Sequence, residues 1–238
     1  MNTSQAMIGI ITYDTPHRKT QDIVTKLMLN GYTNLHLVVI PWVERKGFNP
    51  IFTHRPSNKV DVDIETLCER VKMGFSRVEV KDLNRFFSKN SFDHIMIAGA
   101  GLLPDDLAEN HKIINAHPGY LPNVKGLDAL KWAIYHGDPI GVTTHYISAK
   151  ADEGELIERR AVPVYFEDTF HSLAYRVYET EIEMMVNSIR LIENGMASFE
   201  SLADNRFKAN KRMPHHYEIM MMERFETMRK NAKSRRDE

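Results

Sequence analysis

The stretch "FDHIMIAGAGLLPDDLAENHKIINAHPG", residues 92–119, contains two short apolar runs separated by a polar segment. FDHIMIA (92–98) and KIINA (112–116) are predicted to be buried strands, with a short helix between them. Outward from this stretch, MIGIITY (7–13) and LHLVVI (35–40) are predicted to be two further strands of the same kind. Strands that alternate with helices predict an α/β fold with a doubly wound, mainly parallel sheet.

The segments that follow the first two strands have helical signals. Residues 14–32 are predicted to be a helix that Asp14 or Thr15 caps, with Pro16 in its first turn. Residues 63–75 have the apolar spacing of a second helix, and the single cysteine, Cys68, lies on its apolar face. That position predicts core packing for the thiol.

The second half of the chain predicts two strands, a long helix and a tail. GVTTHYIS (141–148) and ELIERRAVPV (155–164) alternate between apolar and polar residues, so we expect two later strands. Residues 168–194 have the periodicity of the longest helix, and one more helix is predicted at 214–230. We therefore expect a main domain at residues 1–195 and a short C-terminal helical extension at residues 196–238.

The composition excludes several classes of protein. The chain has 238 residues, 42% of them hydrophobic, and a formal net charge of -1. A general nucleic-acid-binding protein would have a marked basic excess. One cysteine excludes an intrachain disulfide and is typical of a reducing compartment. Because the sequence has neither a signal-peptide pattern nor an apolar run of membrane-spanning length, we expect a soluble, cytoplasmic protein.

Two strand ends are candidates for a ligand site, because ligands of open parallel sheets bind beyond the carboxyl ends of the strands. GAGLLP follows the strand at 92–98, and Asn115, His117 and Pro118 follow the one at 112–116. Gly-Ala-Gly does not form the phosphate-binding fingerprint, which needs G-x-G-x-x-G. The sequence also has no H-x-x-x-H pair for a metal and no G-x-S-x-G elbow for a serine nucleophile.

Asn115, His117 and Asp152 together indicate chemistry at this edge of the sheet. Pro118 and Pro122 stiffen the backbone after His117, and a preorganised site requires a stiff backbone. Asp152 lies in the turn between the two later strands. An amide donor, an imidazole and a carboxylate are the groups that stabilise an oxyanion and move a proton, as acyl-transfer chemistry requires.

NAHPGYLPNVKG (115–126), followed by ADEGELI (151–157), resembles the signature of the folate-dependent formyltransferases. That resemblance implies a Rossmann-like catalytic domain at residues 1–195 and N10-formyltetrahydrofolate as co-substrate, without a metal. It implies catalytic roles for Asn115, His117 and Asp152, with Asn115 and a protonated His117 as oxyanion donors and Asp152 sustaining the imidazolium. The pterin would lie against two segments, at Ala100, Gly101, Leu102 and Leu103 and at Ala149, Lys150 and Ala151.

Within this family, the sequence most resembles the small sugar N-formyltransferases. The loop after the first strand lacks the Gly/Ser-rich phosphate cradle of the purine-pathway enzymes, and the tail is too short for the tRNA-binding barrel of the methionyl-tRNA enzymes. The resemblance therefore implies a nucleoside-diphosphate-linked amino sugar as acceptor, within glycan biosynthesis. Glycinamide ribonucleotide transformylase, a non-catalytic folate or nucleotide sensor, and a formyltetrahydrofolate hydrolase remain as alternatives.

The acceptor's diphosphate would need cations near the crevice. The first helix and the long loop after the second strand supply most of the candidates, and the loop after His117 supplies one. We expect neither a nucleic-acid nor a membrane partner, and the sequence leaves a homodimer open. The predicted substrate-binding residues are Arg18, Lys19, Arg45, Lys46, Arg55 and Lys125.

Overall fold

A computed structural model describes residues 6–43, 47–57, 60, 62–150, 152–204 and 206–237. The strands are β1 (Ile8–Tyr13), β2 (Leu35–Ile40), β3 (Gly74–Arg77), β4 (His94–Ile97), β5 (Ile113–His117), β6 (Gly141–Ile147) and β7 (Gly154–Ala161). The α-helices are α1 (Arg18–Leu29), α2 (Ile64–Val71), α3 (Leu83–Lys89), α4 (Asp105–Asn110), α5 (Ala129–His136), α6 (Phe170–Glu193) and α7 (His215–Lys230).

The strands form one seven-stranded sheet in the order β3-β2-β1-β4-β5-β6-β7. The first five strands pair in parallel, whereas β6 and β7 are antiparallel to their neighbours. The order reverses at β1, because β2 and β4 lie on its two sides. The predicted doubly wound, mainly parallel α/β fold is therefore confirmed.

Apolar residues on both faces of the central strands explain why helices cover the sheet on both sides. Ile8 and Ile10 of β1 belong to a core that α1, α2 and α6 close, while Ile11 belongs to the core that α3 and α4 close. Successive side chains of a strand point to opposite faces, so a continuous apolar run such as β1 needs both layers. This packing holds the central strands, and with them the strand ends described below, in fixed positions.

The start of α1 and the end of α2 differ from the sequence prediction. α1 begins at Arg18 with His17 at its N-cap, and the Asp14 carboxylate accepts hydrogen bonds from Arg77 instead. The predicted capping role of Asp14 or Thr15 is therefore wrong. α2 ends at Val71 because Lys72 adopts a left-handed conformation, and the next residues form β3, which the sequence did not predict.

The predicted C-terminal helix is present as α7, and it packs against the main body of the chain. Met213, Met221 and Phe225 are fully buried in one core with residues of α5 and α6. The division at residue 195 stays a prediction. Among the residues that the structure describes, none of the helices is long and apolar enough to cross a membrane.

Candidate active site

The carboxyl ends of β4 and β5 lie side by side because these strands pair in parallel. The backbone passes close to its neighbours just after β4. A Cβ atom added at Gly99 would come within 2.8 Å of His17 Cε1 and 2.9 Å of Tyr13 Cδ2. The GAG and NAHPG segments therefore follow neighbouring strands. A side chain at position 99 would collide with His17 and Tyr13, which favours glycine there.

Asn115 and His117 lie at the carboxyl end of β5 and point to the same face of the sheet, since they are two residues apart in a strand. His117 is 6% exposed and Asn115 is half-buried. β5 pairs with β6, so that Asn115 lies opposite His145. The sheet thus places an amide and two imidazoles together at its edge.

The loop after His117 is fixed to β6 and leaves no room beside the imidazole. Thr143 Oγ1 accepts a hydrogen bond from Leu121 N at 3.0 Å and donates to Gly119 O at 2.8 Å. A Cβ atom at Gly119 would lie 2.6 Å from His117 Nε2. Glycine at position 119 therefore has a steric reason in this chain.

Both ring nitrogens of His117 face hydrogen-bond acceptors. Nδ1 lies 3.2 Å from Asp152 Oδ1, and Nε2 lies 2.8 Å from Val124 O. A ring with N–H groups on both nitrogens satisfies both partners at once. The predicted partnership of His117 and Asp152 is thus present as a direct contact.

Asp152 is held in place through its second oxygen. Oδ2 accepts a hydrogen bond from Gly126 N at 2.6 Å, while the residue itself adopts a left-handed conformation with φ of 55°. Asp152 is one of the non-glycine residue types that tolerate this conformation best. Backbone geometry and two contacts therefore fix the carboxylate beside the imidazole.

His145 of β6 is the polar neighbour of Asn115. Asn115 Nδ2 lies 3.4 Å from His145 Nε2, and His145 Nδ1 lies 3.0 Å from Tyr146 O. Burial lowers the pKa of His145 to about 4, although the nearby Asp152 carboxylate opposes that shift. The ring is therefore neutral near pH 7, with Nδ1 as donor and Nε2 as acceptor for the amide of Asn115.

Two predicted substrate-binding cations, Lys19 and Arg55, contact one carboxylate. Glu181 of α6 is fully buried, and it accepts from Lys19 Nζ at 2.6 Å and from Arg55 Nη1 at 2.5 Å. Burial would raise the pKa of Glu181, but Arg55 and Lys19 hold it below its usual value. The cluster therefore contains two positive charges and one negative charge.

The same cluster extends to His17, which the sequence had not singled out. His17 Nδ1 lies 2.9 Å from Thr20 Oγ1. Burial, together with the positive charges of Lys19 and Arg55, lowers the pKa of His17 to about 4. His17 also lies beside Gly99, since a Cβ atom at that position would be 2.8 Å from His17 Cε1. A histidine in the first turn of the predicted helix was a weak signal for a position at this site.

The remaining predicted cations differ in position. Arg18 is near the long loop, where its Nε donates to Ser57 O at 2.7 Å. Lys125 is only 2% exposed, and its Nζ donates to Glu153 Oε1 at 2.9 Å and to Asp204 O at 3.1 Å. The ammonium group of Lys125 therefore binds two groups of the protein itself, and its predicted contact with the substrate stays a prediction. Arg45 and Lys46 lie outside the described residues.

Comparison with known families decides the class of this site. Residues 61–189, more than half of the chain, match the family model described as "Formyl transferase". The chain belongs to the formyl transferase family. The match includes β4 and β5 together with Asn115, His117 and Asp152, and the catalytic roles of these three residues stay a prediction.

Individual relatives of this formyl transferase differ in acceptor. The chain is 35% identical over 85 residues to a trifunctional purine biosynthetic protein adenosine-3 from Chironomus tentans, covering 35% of this chain and 6% of that protein. It is 33% identical over 108 residues to a methionyl-tRNA formyltransferase from Koribacter versatilis, covering 44% of this chain and 35% of the relative. The chain thus covers a small part of the first relative and about a third of the second.

A solved structure with the same fold adds a third kind of acceptor. It is the formyltransferase from Anoxybacillus kamchatkensis in complex with UDP-4,6-dideoxy-4-formamido-L-AltNAc and tetrahydrofolate. The two share 21% identity with a TM-score of 0.53, over 87% of this chain and 86% of the other. At this identity the likeness shows the fold.

The two segments predicted to hold the pterin follow the carboxyl ends of β4 and β6. Leu102 is 88% exposed, whereas Leu103 and Ala100 are partly buried against the core beneath them. Ala149 and Lys150 belong to the turn after β6, where Ser148 Oγ donates to Lys150 O at 3.0 Å. Gly101 is exposed beside Leu102, and Ala151 lies outside the described residues. The pterin contacts of these segments stay a prediction.

Proposed function

We propose that this formyl transferase moves the formyl group of N10-formyltetrahydrofolate to the primary amine of a nucleoside-diphosphate-linked amino sugar. A 4-amino-4,6-dideoxy sugar is the expected acceptor. The observation that carries the transfer chemistry is the direct contact between His117 and Asp152 beside Asn115.

Each of the three side chains has a distinct role in the proposal. Asn115 Nδ2 is an amide donor, and its orientation is fixed by His145. His117 contributes a second, charged donor once its Nε2 exchanges Val124 O for the oxygen on which negative charge develops, and Asp152 stabilises that charged ring. Asp152 also accepts the amine proton, directly or through water.

The segments at 98–103 and 149–150 fit a flat heterocycle. Gly99 has no space for a side chain, and Gly101 and Leu102 are exposed, so a ring would contact backbone and one apolar side chain. Backbone N–H and C=O groups at this edge would bind the polar rim of a pterin. The folate supplies the formyl group, while the residues of this chain orient the reactants and accept the proton of the acceptor amine.

The acceptor proposal rests on the cations near His17. Lys19 and Arg55 together exceed the single charge of Glu181, and both influence a group that touches the crevice. A diphosphate is more strongly attracted to such a site than a neutral acceptor is. Arg18 is on the same helix as Lys19, and it contacts Ser57 O in the loop that contains Arg55.

Steady-state assays with three kinds of acceptor test this proposal. UDP-, dTDP- and GDP-linked 4-amino sugars are compared with glycinamide ribonucleotide and methionyl-tRNA, with N10-formyltetrahydrofolate as donor. We expect turnover only with a nucleotide-linked sugar. Turnover with glycinamide ribonucleotide alone would reject the acceptor and keep the transfer chemistry, and no turnover with any acceptor would favour the sensor alternative.

Arg55→Ala is the matched variant for the acceptor site, with Arg85→Ala, on the remote helix α3, as its control. Arg55 is partly exposed, so its loss is expected to raise the acceptor KM about tenfold, or about 1 to 2 kcal/mol. The KM for the folate should stay within about twofold. An equal rise in both KM values would contradict a role in acceptor binding.

A further inference from the structure

The C-terminal extension contacts the loop around Gly126, the residue whose N–H donates to the Asp152 carboxylate. Asn210 N donates to Lys125 O at 2.9 Å, and Leu127 N donates to Asn210 O at 2.9 Å. The Asn210 side chain adds a third bond, from Nδ2 to Lys125 O at 3.1 Å. The residues on both sides of Gly126 are therefore bound to one residue of the extension.

Gly126 connects this contact to the catalytic pair. Its N–H donates to Asp152 Oδ2 at 2.6 Å, and Asp152 contacts His117 through its other oxygen. With φ of +89°, Gly126 has a conformation that favours glycine. A Cβ atom here would lie 2.2 Å from Asn210 O and 2.5 Å from Asn210 N. Any side chain at position 126 must therefore displace the extension, the loop or both.

Lys125 forms a second connection between the extension and the same turn. Its buried ammonium group bonds to Glu153, the residue after Asp152, and to Asp204 O of the extension. An ammonium group with 2% exposure needs such partners, because an unpaired buried charge is costly. The Asp152 turn is thus connected to the extension through Gly126 and through Lys125.

We propose that Asp204, Asn210, Lys125 and Gly126 form a brace whose role is to position the Asp152 carboxylate against His117. These are positioning residues, because none of them is placed at the reacting atoms. The inference rests on the catalytic role of Asp152 given under the proposed function. It assigns the C-terminal extension a part in catalysis, in addition to its part in the core.

A double-mutant cycle between Gly126→Ala and Asp152→Asn tests this coupling. If the brace acts through the carboxylate, Gly126→Ala lowers kcat about tenfold to a hundredfold in the wild-type background, since a shift of about 1 Å has effects of that size. The same change should lower kcat less than about twofold in the Asp152→Asn background. The KM values for donor and acceptor should change little in Gly126→Ala.

Lys125→Met provides an independent perturbation if Gly126→Ala does not fold, and Lys125→Arg should restore part of the loss by keeping a buried cation. Arg206→Ala is the control in the extension, because Arg206 is 81% exposed and its bonds to Asp204 go to the side chain and not to the carbonyl oxygen that Lys125 contacts. Its kcat should remain at the wild-type value. Each variant is first checked by thermal unfolding, and kcat is measured in single-turnover assays with the full chain.

The outcomes separate the two proposals. Additive losses in the cycle, or wild-type kcat in folded Gly126→Ala and Lys125→Met, would overturn the brace while Asp152 keeps its role. Wild-type kcat in Asp152→Asn would overturn the catalytic assignment on which the brace rests. A loss in Gly126→Ala that disappears in the Asp152→Asn background supports both.

Discussion

The buried ion pair of Lys131 and Glu218 offers a quantitative test of how α7 is attached to the rest of the chain. Both side chains are 0% exposed, and Lys131 Nζ on α5 donates to Glu218 Oε1 on α7. The second oxygen of Glu218 accepts from Ile51 N at 2.7 Å in the long loop. One carboxylate therefore joins two helices and a loop.

The Glu218→Ala variant would leave the ammonium group of Lys131 buried without its partner. Breaking a buried pair on one side costs about 3–5 kcal/mol. The orphaned N–H of Ile51 adds less, because Ile51 is 48% exposed and water can replace the carboxylate. We expect a loss of about 4 kcal/mol, a large fraction of the 5–15 kcal/mol typical of a whole domain.

The matched control is Glu226→Ala, the loss of the same side chain from the same helix. Glu226 pairs with Arg229 on the surface, where its side chain is 42% exposed. Exposed pairs contribute about 0–1 kcal/mol. The double variant Lys131→Met with Glu218→Leu removes both charges together, so it should be more stable than either single variant.

Urea unfolding at pH 7 measures these differences through the midpoint and the slope m. A loss in Glu218→Ala no larger than that in Glu226→Ala would refute the reasoning. A double variant less stable than both single variants would do the same, because the buried charges would then contribute more than an apolar replacement.

Three further predictions concern the site and its pH dependence. His117→Asn and Asp152→Asn should each lower kcat about 10²- to 10⁴-fold with little change in folate KM, and near-wild-type turnover in both would contradict the assignment. Leu102→Asp should raise the folate KM several-fold and leave the acceptor KM unchanged, as measured by steady-state kinetics; an unchanged folate KM would separate the pterin from this segment. The free energy of unfolding should fall as the pH falls from about 6.5 to about 4, because histidine rings take up protons in the unfolded chain while the buried rings of the folded chain stay neutral. The expected slope is up to about 1.4 kcal/mol per pH unit for each buried ring. Urea midpoints between pH 4 and 7 measure this slope, and the opposite slope would contradict it; the histidines with lowered pKa values are His17 and His145, at about 4, and His54, at about 3.

Local sequence patterns predicted the central strands well. The apolar run at 35–40 coincides with β2, and the run at 112–116 lies within one residue of β5 at each end. β3 was missed because GFSR is short and half-exposed, and it directly follows a helical pattern. The apolar signal of a strand is strongest where both faces are buried, which is true of β2 and not of β3.

The catalytic constellation was predictable for a related reason. Asn115 and His117 are two residues apart in one strand and so share a face, and Asp152 in the turn between β6 and β7 contacts His117 directly. The partners of the cations were not predictable. Glu181 is 162 residues from Lys19 and 126 residues from Arg55, and no local pattern predicts which carboxylate a cation meets across such separations.

The extension connects the two sides of the site. Through Asn210 it holds the loop that supports Asp152, and through Glu218 it holds Ile51, four residues before Arg55. The carboxylate proposed to be catalytic and a proposed acceptor cation are thus connected to the same C-terminal segment. A displacement of α7 would therefore disturb acceptor binding and proton transfer together, whereas a change confined to either loop would disturb one of them. That difference is the reason to expect KM and kcat effects to separate in the loop variants and to coincide in Glu218→Ala.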